Sequence, residues 1–250
     1  MSGHSKWATI KHKKGAADAK RGAAFTKVIR EITTLAKQGG GDPNTNPALR
    51  SAIERARGIN MPNSNIDNAI KKGTGELPGV IYEEVTFDVY GPGGVAMFVT
   101  GLTDNKNRTT AEIRNILSKK GGNLAGPGAT SFKFSKKGFI SIEKNKISED
   151  DLMSIVLDAG AEDIQSSGQF HEITCQINDL PKIKQALEAK KVPIVNAEMT
   201  MLPSTYVKVT GDPVKSLLNL MEGLEDHEDV QHVYANFDIP DEELEKASQA

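Results

Sequence analysis

Six cations lie within the first 22 residues, MSGHSKWATIKHKKGAADAKRG: Lys6, Lys11, Lys13, Lys14, Lys20 and Arg21, against a single acid, Asp18. Lysines at this density supply point-charge contacts to phosphates, and Trp7 is of a type that stacks on an unpaired base. His12 can donate to a phosphate or stack, whatever its charge. Six phosphate contacts to a single strand predict a log–log salt slope of about −4. The same residues also fit a solvated basic tail with Trp7 tucked against a neighbouring helix, so spacing alone leaves both readings open.

A second candidate is the run TDNKNRTTAEIR at 103–114. Lys106 and Arg108 fall at a predicted helix start, where unpaired N–H groups already favour anions. Thr109-x-x-Glu112 can cap that helix, which is a sufficient structural reading by itself.

Other chemistry is thinly represented. There is no GxxxxGK[ST] phosphate loop, HExxH, paired CxxC or GxSxG elbow. GPGG at 91–94 lies between two predicted strands and reads as a turn. The lone Cys175 alternates with Ile173 and Ile177, as a core thiol does, and no histidine can be assigned to activate it. His227 and His232 stand in an acid-rich stretch and read as surface residues rather than metal ligands. No enzyme activity, cofactor or metal is expected.

The elements that must carry these residues follow from charge and period. Residues 1–75 hold 14 Lys+Arg and 5 Asp+Glu, a balance of +9 in a chain whose formal net charge is −2. At physiological salt, fields decay over about 8 Å, so a phosphate near the arm feels this local charge. Residues 16–38 read as a helix, with Phe25, Val28, Ile29, Ile32 and Leu35 in one sector about 120° wide. Lys20, Lys27, Arg30 and Lys37 fall in a separate sector, whereas Arg21 projects on the apolar side; Lys20, Arg21, Lys27 and Arg30 are expected to continue the nucleic-acid-binding surface of the arm. GGGDPNTNP breaks the helix. A second helix carries Leu49, Ala52, Ile53 and Ala56. A third is expected from a Ser64-x-x-Asp67 capping box to Lys71-Lys72-Gly73.

From residue 80 the period becomes two. YEEVTFDVY and VAMFVTGL read as a hairpin, followed by a helix over about 106–120. TSFKFS and GFISIE read as two strands split at Lys136-Lys137-Gly138. Residues 139–202 give strand, helix, strand, strand, helix, strand, the ferredoxin-like order. Strand 94–102, helix 106–120 and strand 130–135 form one flanking half. Strand 205–210, a helix over 212–221 and strand 230–236 form the other. The expectation is an α+β chain: an N-terminal all-helical domain (1–77), a ferredoxin-like module (78–136 plus 203–240) and a second such module inserted into it (137–202). An acidic tail (241–250) ends it.

No apolar run approaches the roughly 18 residues that span a bilayer, and the N-terminus has no signal-peptide core. One cysteine precludes an internal disulfide and fits a reducing cytoplasm. A monomer is expected.

The blocks MSGHSKWATIKHKKGAADAKRG, FTKVIREI, NMPNSNIDNAIKKGTGE, YGPGGVA, LTDNKNRTTAEIR, KKGGNL and LEDHEDVQHVYANFDIP closely resemble the YebC/PmpR family, over residues 1 to about 240. That family includes a mitochondrial translational activator. The resemblance implies a helical unit with two α/β units and a cytoplasmic, non-enzymatic regulator of gene expression. Bacterial members are commonly labelled DNA-binding transcriptional regulators. Others look like ribosome-associated factors that help synthesis through proline-rich stretches. By motif, Lys6, Trp7, Lys11, His12, Lys13 and Lys14 would face nucleic acid, either ribosomal RNA or DNA. The chain departs in having Ala23 and Asn63 where the family often has lysine, and Phe87-Asp88-Val89-Tyr90 before GPGG.

Overall fold

The computed structural model describes residues 17–240 and 242–244, with side chains from Gly22 onward except that of Ser167. Helix α1 (Ala17–Gly39) puts Phe25, Val28, Ile29, Ile32, Leu35 and Ala36 into a small core. Helix α2 (Pro47–Gly58) answers with Leu49, Ala52, Ile53 and Ala56. Asn46 joins the two: its side chain accepts from the Leu49 N–H at 3.1 Å and donates to the carbonyls of Leu35 and Gly40 at 3.0 Å. Pro47 follows at a position where its missing N–H is no loss.

Helix α3 (Asn63–Thr74) buries Ile66 and Ala69. It differs from expectation at both ends. Pro62 precedes it with no side-chain cap, so Ser64 and Asp67 form no capping box, and left-handed Gly75 (φ 85°) ends it after Thr74. Between these, Gly73 lies directly against α1: a Cβ there would stand 2.4 Å from the Thr33 carbonyl oxygen and 2.7 Å from the Ala36 Cβ. Gly73→Ala is therefore expected to force the helices apart and destabilise this core by about 1–3 kcal/mol. Urea unfolding followed by circular dichroism checks it, and an unchanged midpoint would refute the close packing.

Strands β1 (Glu83–Tyr90) and β2 (Ala96–Thr103) form the expected hairpin, in register from Glu83↔Thr103 to Tyr90↔Ala96. Helix α4 (Lys106–Lys120) ends at left-handed Gly121 (φ 76°). The next strand is β3 (Asn123–Leu124), paired to β1, and not the expected 130–135. The reason is Asp88. Its carboxylate accepts the N–H groups of Gly128 (3.0 Å), Thr130 (2.8 Å) and Ser131 (2.6 Å), and the Thr130 hydroxyl at 2.8 Å. Those donors are held by a side chain, so they cannot enter a ladder. Burial pushes the Asp88 carboxyl up, but these hydrogen bonds outweigh it and hold the group below its ordinary value.

Strand β4 (Phe134–Glu143) is a single ten-residue strand where two were expected. Lys136-Lys137-Gly138 is no turn: Gly138 is required because a Cβ would meet the Cys175 Sγ at 2.5 Å. Helix α5 (Glu149–Val156) starts at the Ser148 cap and stops three residues short of expectation. Strands β5 (Ala161–Ser167) and β6 (Phe170–Cys175), helix α6 (Leu180–Ala189) and strand β7 (Asn196–Pro203) complete the set. Their lateral order β5-β6-β4-β7, antiparallel throughout, is ferredoxin-like. Ile140, Ile142, Leu152, Ile173, Ile183 and Leu187 fill its core. Cys175 is fully buried, and burial pushes its thiol up. This compact unit covers Phe132–Tyr206, wider than the expected 137–202 because β4 and β7 run further.

The chain then returns through β8 (Val207–Lys208), helix α7 (Asp212–Glu225), β9 (Val230–Ala235) and β10 (Phe237–Asp238). The expected strand at 205–210 is only β8, a two-residue parallel partner of β10. The outer sheet has the order β3-β1-β2-β9. That is again the ferredoxin-like lateral order, with the strand β1 moved to the front of the chain. Both α4 and α7 contribute to its core through Ile113, Leu117, Leu217, Leu220 and Leu224. The architecture is α+β, as expected, and the three helices α1–α3 belong to the same compact unit as this sheet.

Candidate nucleic-acid interface

Lys6, Trp7, Lys11, His12, Lys13 and Lys14 lie outside the described residues, as does the acidic tail beyond 244. Lys20 and Arg21 fall on the α1 backbone, with side chains outside the description. The remaining expected residues are placed, and they face differently from the sequence reading.

Arg30 is a correction. It is buried and not on an outward basic face. Its Nη1 pairs with the Asp229 Oδ1 and also donates to the Glu228 carbonyl oxygen at 3.0 Å. The guanidinium lies 5.4 Å from the Tyr82 ring centroid. Lys27, one turn earlier, donates from Nζ to the Glu225 carbonyl oxygen at 2.5 Å. Lys27 and Arg30 thus bind the C-terminal end of α7 and the loop after it, where carbonyls are left without helical partners and cations are favoured. Helical periodicity placed these two residues on one face correctly. It could not show that this face meets protein.

The partner is Asp229, which the sequence reading missed. Its Oδ2 accepts from Arg108 Nη2 (3.0 Å), Thr109 Oγ1 (2.5 Å) and Thr103 Oγ1 (3.1 Å). The Asp229 carbonyl accepts the Leu102 N–H at 2.8 Å. Close approach at this point requires Gly101, whose Cβ would sit 2.5 Å from the Asp229 carbonyl oxygen. Burial pushes the Asp229 carboxyl up, but hydrogen bonds from Thr109, Arg108 and Arg30 outweigh it and bring it down to about 2. In return, Asp229 and Asp104 hold the Arg108 guanidinium above its ordinary value.

Arg108 and Lys106 are accordingly both engaged. Arg108 also bonds Asp104 at 2.7 Å, and Lys106 pairs with Glu83 at 2.8 Å. The hydrogen bond and charge of Lys106 hold Glu83 below its ordinary value. The helix is capped, but by Asn105, whose side chain accepts the Arg108 N–H at 3.1 Å. Thr109 and Glu112 form no capping box, because the Thr109 hydroxyl is turned to Asp229. Glu112 instead meets His227 Nε2 at 3.0 Å.

Glu112, His227 and Asp229 bring their ligand atoms within 4.8 Å of one another. Their chemistry does not suit a cation. The His227 Nδ1 lone pair accepts the Asp229 N–H at 3.1 Å, so Nε2 carries the proton and donates to Glu112. The Asp229 oxygens already face two guanidinium groups and two hydroxyls. Elsewhere in the helical region Arg50, Arg57, Lys71 and Lys72 are exposed, while Arg55 pairs with Glu31.

Residues 5–76 match the TACO1/YebC protein N-terminal domain, and residues 82–237 match the TACO1/YebC second and third domain. A "probable transcriptional regulatory protein" of Syntrophobacter fumaroxidans is 53% identical over 247 residues, covering 98% of this chain and 99% of that one. One of the same description from Dictyoglomus turgidum is 54% identical, covering 99% and 100%. The crystal structure of a conserved hypothetical protein from Aquifex aeolicus is similar, with a TM-score of 0.78 at 44% identity over 90% of this chain and 93% of that one. Among the described residues, no helix is long and apolar enough to cross a membrane.

Proposed function

The chain belongs to the TACO1/YebC family, and from that membership we propose that it regulates gene expression by binding nucleic acid, without catalysis, in the cytoplasm. Its target on this reading is RNA at the ribosome, where it acts as a translation factor. The observation that carries the reading is the +9 balance of residues 1–75 in a chain of net charge −2, of which the 22 residues around Trp7 carry +5. Phosphates provide affinity through the arm lysines, and Trp7 stacks on an unpaired base. Lys27 and Arg30 are turned to the α7 end, so the cations of that segment left for phosphate are those of the arm together with the exposed Arg50, Arg57, Lys71 and Lys72. Help through proline-rich stretches is the specific task that the family resemblance suggests. No nucleotide-hydrolysing step is assigned to the chain.

A second reading, a DNA-binding transcriptional regulator, is favoured by the description that the Syntrophobacter and Dictyoglomus relatives carry. It needs an element whose Arg, Asn or Gln side chains reach base edges. The sequence offers no such cluster on one face, and the basic face of α1, a candidate for lying on a DNA backbone, has its Arg30 buried. Ultraviolet crosslinking in cells, followed by sequencing of the bound nucleic acid, separates the two. Ribosomal and messenger RNA are expected, and recovery of promoter DNA without RNA would overturn the translation reading in favour of the second.

A further inference from the structure

Phe132 is 74% exposed, the most exposed of the large apolar side chains described. A single exposed phenylalanine is ordinary on a protein surface. Its setting is not. The Lys133 Nζ lies 5.0 Å from the ring centroid, covering one side of the ring. The Ser204 N–H donates to the Lys133 carbonyl at 2.8 Å, which extends the β4–β7 ladder by one step and holds the segment in place. Lys136 follows on β4 and is exposed, opposite Met201. Lys133 and Lys136 enter no ion pair among the described residues, whereas Lys137 is paired with Glu162 at 2.7 Å. Residues 132–137 and 199–206, the paired ends of these two strands, contain no Asp or Glu. The rest of the same unit has more acids than lysines. An exposed aromatic ring beside lysines that enter no ion pair, on two strand ends without acids of their own in an otherwise acidic unit, has the composition of a single-strand stacking site.

We propose that Phe132, with Lys133 and Lys136, is a second contact for single-stranded RNA, separate from the N-terminal arm. This rests on the nucleic-acid reading above. A base stacks on the ring side that Lys133 leaves open, and the flanking phosphates lie at Lys133 and Lys136. Stacking is tolerant of base identity, because every base presents a π-face. The site therefore adds affinity for unpaired RNA without choosing a sequence, and a duplex, whose bases are already stacked, gains nothing from the ring.

The test is fluorescence anisotropy on the full chain with a labelled oligouridine single strand and with duplex RNA. Phe132→Ala is expected to weaken single-strand binding by about 5- to 100-fold. Phe132→Trp is expected to retain it, and duplex binding to stay unchanged. Lys133→Ala with Lys136→Ala is expected to flatten the single-strand salt slope by about 1.4. Thermal melting confirms that each variant is folded. A parent that binds single strands while Phe132→Ala binds them equally well would overturn this site alone. Equal weakening of single strand and duplex would also overturn it, since stacking would not be the cause. A parent that binds neither RNA would overturn this site and the RNA reading together, leaving the DNA reading.

Discussion

Asp229→Ala is expected to destabilise the protein by about 3–5 kcal/mol, because it leaves the buried Arg30 guanidinium with only the exposed Glu228 carboxylate, 3.5 Å away, as counter-charge. The loss falls on three elements together. Arg30 comes from α1, Arg108 and Thr109 from α4, and Asp229 from the turn into β9, so one carboxylate ties the helical region to the sheet. Arg30→Met combined with Asp229→Ala is expected to cost less than the sum of the two single changes, since no unpaired charge then remains. Equilibrium urea unfolding of the four proteins gives the coupling directly, and additive costs would mean that the pair is not coupled. The carboxyl also sets a pH dependence. Its folded value, about 2, lies below the ordinary aspartate value of about 3.9. The stabilisation is therefore complete above about pH 5 and is lost as the pH falls towards 2. Asp229→Asn should be less stable than the parent at neutral pH, with the gap closing over that acid range. A gap that stayed constant to pH 2 would rule out the carboxylate as its source.

Much of this fold is legible in the order of polar and apolar residues, and the failures have local causes. The alternation in 83–90 and 96–103 makes the hairpin plain, and the 139–202 order is ferredoxin-like on inspection of period alone. Lys136-Lys137-Gly138 misleads because a glycine between charges looks like a turn. The Cys175 sulfur that excludes a side chain there is 37 residues away in sequence. The strand expected at 130–135 starts only at Phe134, as the head of β4, because Asp88, in another strand, takes the N–H groups of Thr130 and Ser131. Asp229 was hidden for a related reason. Within LEDHEDVQ it is one of several acids, and only tertiary structure shows that it alone is enclosed by partners from residues 30, 103, 108 and 109. Charge spacing can identify a cationic helix face. It cannot say whether solvent, RNA or an aspartate meets that face.

That ambiguity is what makes the arm separable from α1 by experiment. Lys11, Lys13 and Lys14 changed together to alanine are expected to reduce RNA binding by about 10- to 100-fold across sequences. The log–log salt slope for a single strand should flatten by about 2, three contacts at roughly 0.7 each. Unfolding should be unaltered. Arg30→Ala should do the reverse: lower stability by a few kcal/mol, because Asp229 loses a buried partner, and leave the salt slope of the folded protein unchanged. The two variants start from residues that look alike in sequence, each a cation in the same +9 segment. If the arm variant binds as the parent does, the lysines are a solvated tail and the charge asymmetry carries no function. If Arg30→Ala flattens the slope while the protein remains folded, Arg30 reaches phosphate in the complex. The contact with Asp229 would then have to open when RNA binds.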